Sequence, residues 1–434
     1  MTGVAVFTVA MAMVIYLGLG VWVSLALYAV AITSLALLKS MPVEKLVAQL
    51  TFNTVNTPEI LALPLFILMA DILFHTRLSE SLFRGLAPWA SRLPGRLLHV
   101  NVLGCTMFAA ICGSSAATAA AVGRITLTEL FRRGYDRQLV IGSLAGAGTL
   151  GFLIPPSIIM IIYGVLAEES ILKLFIAGII PGLLLAGSFM AFIAIRALLN
   201  PSLVQEEGIP STWLERIVAL KDLFPIAFLI IIIMGSMYGG FASPTEAAAV
   251  GVFGALLIGV VQRTLNLANL TRACISAMRT TSMIALIICG AIFLSVSMGF
   301  LGVPRYVATT IAELQLSPLM LIALLIIFYL ILGCFLDGLS AIVMTLPITL
   351  PLVLLAGYDK IWFGVFLVIM VEMAQITPPV GFNLYVLQGL TGESMRRVSR
   401  AAFPFFLLMT AFAMLLAFVP ELATYLPTTM SQQP

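Results

Sequence analysis

Apolar runs of helical length, separated by short segments carrying arginine or lysine, fill this sequence almost end to end. A helix needs about 20 residues to cross a bilayer. On that measure the runs at 4–19, 21–38, 58–74, 138–167, 173–196, 222–240, 245–262, 280–299, 361–389 and 401–420 read as spans. Segments 42–56 and 200–221 mix polar and apolar positions and read as interfacial helices or loops. Ser211 or Thr212 with Glu215 gives a capping box for the second. Two stretches behave differently. The run 97–131 is too short for two crossings, has arginine at both ends (Arg96; Arg132, Arg133, Arg137) and has a small, polar middle, Gly113-Ser114-Ser115-Ala116-Ala117-Thr118. That pattern predicts a re-entrant hairpin whose tip lies near the membrane midplane. The run 317–356 is its counterpart, with tip Gly333-Cys334-Phe335-Leu336-Asp337-Gly338-Leu339-Ser340.

The halves repeat at a spacing of 223 residues. Gly134-Tyr135-Asp136 recurs as Gly357-Tyr358-Asp359, Ile154-Pro155-Pro156 as Thr377-Pro378-Pro379, and Pro181 as Pro404. In the same register Asp337 falls on Ser114. Paired, proline-interrupted apolar segments in two related halves are the best sequence pointer to the binding site of a secondary transporter. The expected fold is an all-α polytopic membrane protein, with about ten transmembrane helices, two re-entrant hairpins and inverted repeats with broken helices. Its units are N-terminal scaffold helices (1–57), a first repeat (58–196), connecting scaffold helices (197–279), a second repeat (280–420) and a C-terminal tail (421–434).

Composition supports this. The chain of 434 residues is 61% hydrophobic and 9% charged, with mean hydropathy +1.14, against about 25% charged residues in a soluble protein. The net charge of +3 is no sign of nucleic acid, because the basic residues sit between spans. With the loop of Arg77, Arg84, Arg92 and Arg96 in the cytoplasm, sixteen of the 22 lysines and arginines fall inside and five outside, Arg124 lying within a hairpin arm. This obeys the positive-inside rule, places both termini outside and inverts the two repeats. The five cysteines form no Cys-x-x-Cys pair, and two histidines, His75 and His99, are too few for a metal cluster. The first apolar run lacks a basic leader and reads as mature protein. No Walker A motif is present, which argues against ATP as the energy source.

The breaks are where chemistry is expected. Proline has no N–H, so Pro155 and Pro156 free the carbonyls of Gly151 and Phe152, and Pro378 and Pro379 free those of Ala374 and Gln375. In hydrocarbon such carbonyls survive only where buried or lining a polar cavity. Sodium suits them: it is a hard cation served by carbonyl and hydroxyl oxygens. Ser114, Ser115, Thr118, Thr149 and Ser157 supply hydroxyls in the first half, and Ser340, Thr345 and Thr377 in the second. Asp337 and Glu372 are the deepest carboxylates. Asp337 can ligate a cation or offset its charge. Glu372 has the same two options or a structural hydrogen bond. Beyond each break a half-helix begins, at Ser157 and at Val380, whose N–H groups favour an anion. Asn383 is a further polar contact. Arg124 is either a carboxylate partner or a charge reaching cytoplasmic water. Kinks made only for packing are the alternative to all of this. An intramembrane enzyme built on Ser114 and His99 lacks a third orienting group, so the chain is not read as an enzyme.

Gly-Ser-Ser-Ala-Ala-Thr at 113–118, Gly-Phe-Leu-Ile-Pro-Pro-Ser at 151–157 and Gln-Ile-Thr-Pro-Pro-Val-Gly at 375–381 resemble the large membrane subunit, the DctM type, of tripartite ATP-independent periplasmic (TRAP) transporters. The resemblance covers essentially the whole chain. It implies a sodium-driven elevator of the ion transporter superfamily in a bacterial inner membrane. It also implies a separate small four-helix membrane subunit (DctQ-type) and a periplasmic substrate-binding protein (DctP-type). The implied substrates are organic acids: dicarboxylates, sialic acid, sugar acids or keto acids. Sodium is the coupling ion, with no other metal or cofactor. The implied first sodium half-site is Gly113, Ser114, Ser115, Thr118, Gly151, Phe152 and Pro155. The second is Gly333, Asp337, Gly338, Ser340, Ala374, Gln375, Thr377 and Pro378. Substrate falls to Arg124, Pro156, Ser157, Pro379 and Asn383. A self-sufficient carboxylate symporter of the same superfamily is the rival reading.

Overall fold

The computed structural model describes residues 2–39, 42–204 and 212–431, which are all-helical apart from turns. Helices α1 (Thr2–Gly18) and α2 (Val23–Leu38) pair with each other. α3 (Val43–Val55) leads into a segment, Pro58–Phe74, bent from it by 56°. The bend has a local cause: Thr57 is extended because a proline follows it. The helix proper of that segment, α4 (Ala62–Phe74), opens the first repeat.

The arginine-rich stretch after it, read from sequence as a loop, contains α5 (Leu78–Ala90). Its buried Leu78, Leu82, Leu86 and Ala90 form an i, i+4 stripe, and Arg84 points away. α6 (Leu98–Cys112) and α7 (Ser115–Arg132) make the first hairpin. α8 (Arg137–Leu153) and α9 (Ile158–Ala167) are the two parts of the first broken helix, and α10 (Ile171–Leu199) closes the repeat.

α11 (Trp213–Tyr238) and α12 (Pro244–Val261) connect the repeats. Each starts with a complete capping box, Thr212 with Glu215 and Ser243 with Glu246; Ser211 lies outside the described residues. Residues 213–221 were expected in a separate interfacial segment. They run without interruption into α11, because Trp213, Leu214, Ile217 and Val218 extend its apolar surface by two turns.

The second repeat follows the same order. α13 (Leu267–Leu301) is followed by the short α14 (Val303–Glu313), the hairpin α15 (Pro318–Gly333) and α16 (Gly338–Leu355), the broken pair α17 (Lys360–Gln375) and α18 (Phe382–Thr391), and α19 (Met395–Phe418). The segment read as a tail contains α20 (Glu421–Ser431), which packs on α10 and α17. Equivalent caps keep the 223-residue register. Asp136 caps α8 and Asp359 caps α17, and Ser114 and Asp337 occupy the N-cap positions of α7 and α16.

Among the described residues, seven helical segments are long and apolar enough to span a membrane, or eight if the bent α3–α4 pair counts as one span. The broken α8–α9 pair is one of them, and α1, α2, α6 and α15 are shorter apolar helices. The chain is a multi-pass membrane protein. α8 and α17 form its centre, buried along nearly their whole lengths. Glycine makes this possible on α8: a Cβ on Gly146 would lie 2.6 Å from the Phe405 ring, and one on Gly142 would strike the Ala401 carbonyl, so α19 rests directly on that face.

Candidate functional site

The first hairpin tip and the first break touch through backbone. α6 ends because Gly113 turns left-handed (φ +58). A Cβ there would lie 2.7 Å from the Pro156 carbonyl, so no other residue fits. The Gly113 carbonyl accepts the amide of Ile158 at 3.4 Å, tying the tip to the start of α9. Gly151 lies against the other side of the tip, where its Cβ would meet Ser114 C and O and Ser115 Cα at 2.7 Å. Ser115 Oγ donates to the Gly148 carbonyl (3.1 Å). α8 stops because Ile154 precedes a proline and is extended (ψ 121). Ser157 then caps α9, its Oγ accepting the Met160 amide. Pro155, Pro156 and Ser157 are all buried. The bonds Pro155–Pro156 and Pro378–Pro379 are both cis.

The second tip also meets its helix, but here the glycines lie against side chains. A Cβ on Gly333 would overlap Ala374, and one on Gly338 would overlap Val371, both on α17. Cys334 Sγ donates to the Pro378 carbonyl at 3.4 Å. Asp337 caps α16, accepting the Ser340 amide at 3.3 Å and the Ser340 hydroxyl. Two expectations change here. The Ala374 carbonyl is not free: the last turn of α17 tightens, and Thr377 N donates to it (3.3 Å) while Thr377 Oγ1 donates to Met373 O (2.6 Å). The half-helix starts at Phe382, not at Val380, because Gly381 occupies the N-cap with a positive φ.

The two breaks differ in exposure. Pro378, Pro379 and Val380 are exposed, as are Phe335 and Asp337 at the tip beside them. A cavity of about 1460 Å³ adjoins this tip. Its walls come from the α1–α2 turn with Trp22, from α13 with Arg279 and Ser282, and from the second hairpin with Phe335, Asp337 and Ser340. By the positive-inside assignment these ends of α1 and α13 are cytoplasmic. Arg279 was visible in sequence only as a charge before an apolar run. Its place in a cavity wall depends on the fold.

Several predicted residues have other surroundings. The Arg124 guanidinium stacks over the Phe74 ring (4.8 Å) and is exposed, apart from both breaks. Thr149 Oγ1 donates to the Gly146 carbonyl, and the Thr345 hydroxyl is held by Tyr329 and the Ala341 carbonyl. His99 Nε2 bonds the Pro94 carbonyl at the far end of α6 from Ser114. Asn383 is fully buried and faces the first hairpin, donating from Nδ2 to Ser115 Oγ at 2.7 Å. Glu372 Oε1 accepts the amide of Phe152 on α8 (2.9 Å), so this side chain too reaches across the repeats. Thr118 Oγ1, Asn383 Oδ1 and Glu372 Oε2 are buried without a hydrogen-bond partner. Oxygen-only groups of this kind fit a hard cation. Outside the spans, the Arg397 and Arg137 guanidiniums, linking the starts of α19 and α8, hold the Glu393 carboxyl below the usual carboxylate range.

Comparison with known proteins agrees with this architecture. The family model of the tripartite ATP-independent periplasmic transporter, DctM component, matches residues 8–422. The C4-dicarboxylate TRAP transporter large permease protein DctM of Pseudomonas aeruginosa is 34% identical over 87% of this chain and 88% of its own. The sialic acid TRAP transporter permease protein SiaT of Haemophilus influenzae is 31% identical over 86% of this chain and 60% of its own. The crystal structure of the Alcanivorax borkumensis YdaH transporter superposes with a TM-score of 0.65, covering 98% of this chain and 100% of that one. At 14% identity this is a likeness of fold alone. The permease relatives and the matched family model together place this chain in the DctM family of TRAP transporter large permease components.

Proposed function

We propose that this chain carries out sodium-coupled uptake of an organic acid across a bacterial inner membrane, by elevator-type alternating access. The observation that carries the reading is the unequal exposure of two otherwise equivalent breaks: the first is sealed by its hairpin, and the second lies open beside the cavity. Two equivalent half-sites in unequal states are what one frame of an alternating-access cycle requires. On this reading, with the cavity at the ends of α1 and α13 that the positive-inside assignment puts in the cytoplasm, this is the cytoplasm-facing frame. Sodium would sit between hairpin tips and breaks, on the carbonyls of Gly151, Phe152 and Gln375 and the hydroxyls of Ser114, Ser115 and Thr118, with Asp337 and Ser340 serving the second site. Arg279 supplies a cation in the cavity wall for a substrate carboxylate. The named relatives of dicarboxylate and sialic acid systems support a carboxylate substrate.

By the same family reasoning the chain works with a small four-helix membrane subunit and a periplasmic binding protein that delivers the substrate. The test is purification from native membrane in mild detergent, with mass spectrometry of what accompanies the chain, followed by reconstitution into liposomes under a sodium gradient. The expected result is a small membrane partner and uptake that needs sodium and the binding protein. Uptake by the chain alone would replace the tripartite reading with that of a self-sufficient symporter. Uptake indifferent to sodium would remove the coupling.

A further inference from the structure

Glu372 belongs to the second repeat by sequence and to the first break by contact. It is fully buried. Oε1 accepts the Phe152 amide (2.9 Å), and Oε2 has no partner. Among the described residues the ion pairs are centred on Glu129 and Glu393, and none engages Glu372. A buried carboxylate without a counter-charge is costly to keep. The same turn of α8 is held at its other end: the Gly148 carbonyl accepts Ser115 Oγ, which accepts Asn383 Nδ2. Residues 148 and 152 are one helical turn apart, so two buried side chains of the second repeat reach one turn of the first, Glu372 directly and Asn383 through Ser115. Each leaves one oxygen unpaired. That turn ends in the carbonyls of Gly151 and Phe152, which Pro155 and Pro156 deprive of donors.

We infer that Glu372 is the counter-charge for a cation held at the first break, supplied to that half-site by the opposite repeat. The inference rests on the sodium-coupled reading and adds a residue to it. It also makes the first half-site dependent on α17, so the two repeats do not bind ions as independent units.

Glu372→Gln tests it, because glutamine keeps an acceptor for the Phe152 amide and loses only the charge. Two readouts are compared with wild type: the sodium concentration that half-maximally raises the unfolding temperature of the purified protein, with choline as control, and the sodium concentration for half-maximal uptake in liposomes. Both are expected to rise at least about tenfold, the effect of removing one close opposite charge, while the unfolding temperature in choline holds or increases. An unchanged sodium response in Glu372→Gln overturns the assignment and leaves sodium coupling standing. No sodium response in wild type overturns the coupling reading and the assignment with it. If Glu372→Gln does not fold, Glu372→Asp decides. It keeps the charge and withdraws it from the Phe152 amide, so the sodium response persists on a less stable protein. A folded Glu372→Asp without a sodium response overturns the assignment.

Discussion

Replacing Gly151 with alanine tests the contact on which the first half-site rests. The new methyl carbon would lie 2.7 Å from three backbone atoms of Ser114 and Ser115, where ordinary contact begins near 3.4 Å. Backbone cannot swing aside as a side chain can, so tip and break must part by about 0.7 Å, the difference between those distances. The shift lengthens the Ser115 Oγ to Gly148 O bond from 3.1 Å and strains the Ile158 to Gly113 bond, already 3.4 Å. Overpacking costs about 1–3 kcal/mol and a weakened buried hydrogen bond about 1 kcal/mol more. Against that, alanine in a helix gains about 1 kcal/mol over glycine. The net loss is roughly 1–3 kcal/mol. The control is Gly187→Ala on α10, where nothing lies within 4 Å of the new methyl and only the helix gain applies. Thermal unfolding in detergent should order the proteins as Gly187→Ala at or above wild type and Gly151→Ala below it, by a few degrees. Uptake in liposomes should fall in Gly151→Ala alone. A Gly151→Ala protein that melts with Gly187→Ala and transports normally would refute the close approach of tip and break.

Pro155→Ala combined with Pro156→Ala restores two backbone N–H groups, so α8 and α9 re-pair across the break and uptake drops; normal uptake in the double variant would show the interruption to be dispensable. Asp337→Asn keeps a side chain that caps α16, so folding is expected to survive while sodium-dependent uptake weakens. Unchanged sodium dependence would remove Asp337 from the site. Arg279→Gln is expected to raise KM for an anionic substrate with little change in kcat, which concentration-dependent uptake measures directly. Glu393 is held below its ordinary pKa by Arg397 and Arg137. Its stabilisation is therefore complete above the unfolded value, near 4.3, and is lost as pH falls through the lower folded value. Glu393→Gln should accordingly flatten the decline of unfolding temperature in acid, and an unaltered acid limb would count against the triad.

The first hairpin and the breaks were legible because each leaves a local mark, arginines at both ends of a short apolar run or a Pro-Pro pair inside a long one, and the second hairpin followed from the 223-residue repeat. The cap of α11 was legible too, since Thr212 with Glu215 encodes it in four residues. α5 carries a Leu78, Leu82 and Leu86 stripe, but Ser79, Glu80, Ser81 and Arg84 between those positions give the segment the polarity of a loop. The orientation of Glu372 and Asn383 was out of reach for a different reason. Their partners, Phe152 and Ser115, lie more than 200 residues away, and a spacing argument assigns each side chain to its own break. Unequal exposure of the breaks is likewise invisible in a repeat, because the repeat encodes both halves and the conformation chooses between them.

Residues Trp362 to Gln375 of α17 are buried on every side, so this helix never meets an acyl chain and has protein as its solvent. The apolar windows of α11 and α12, by contrast, are only 28% buried and carry much of the lipid contact. When bilayer thickness changes, helices respond by tilting where lipid touches them. In this molecule that response falls on α11 and α12 and reaches the two breaks only through their neighbours. Lipid chain length should therefore act on how the protein sits in its bilayer well before it alters what the breaks bind.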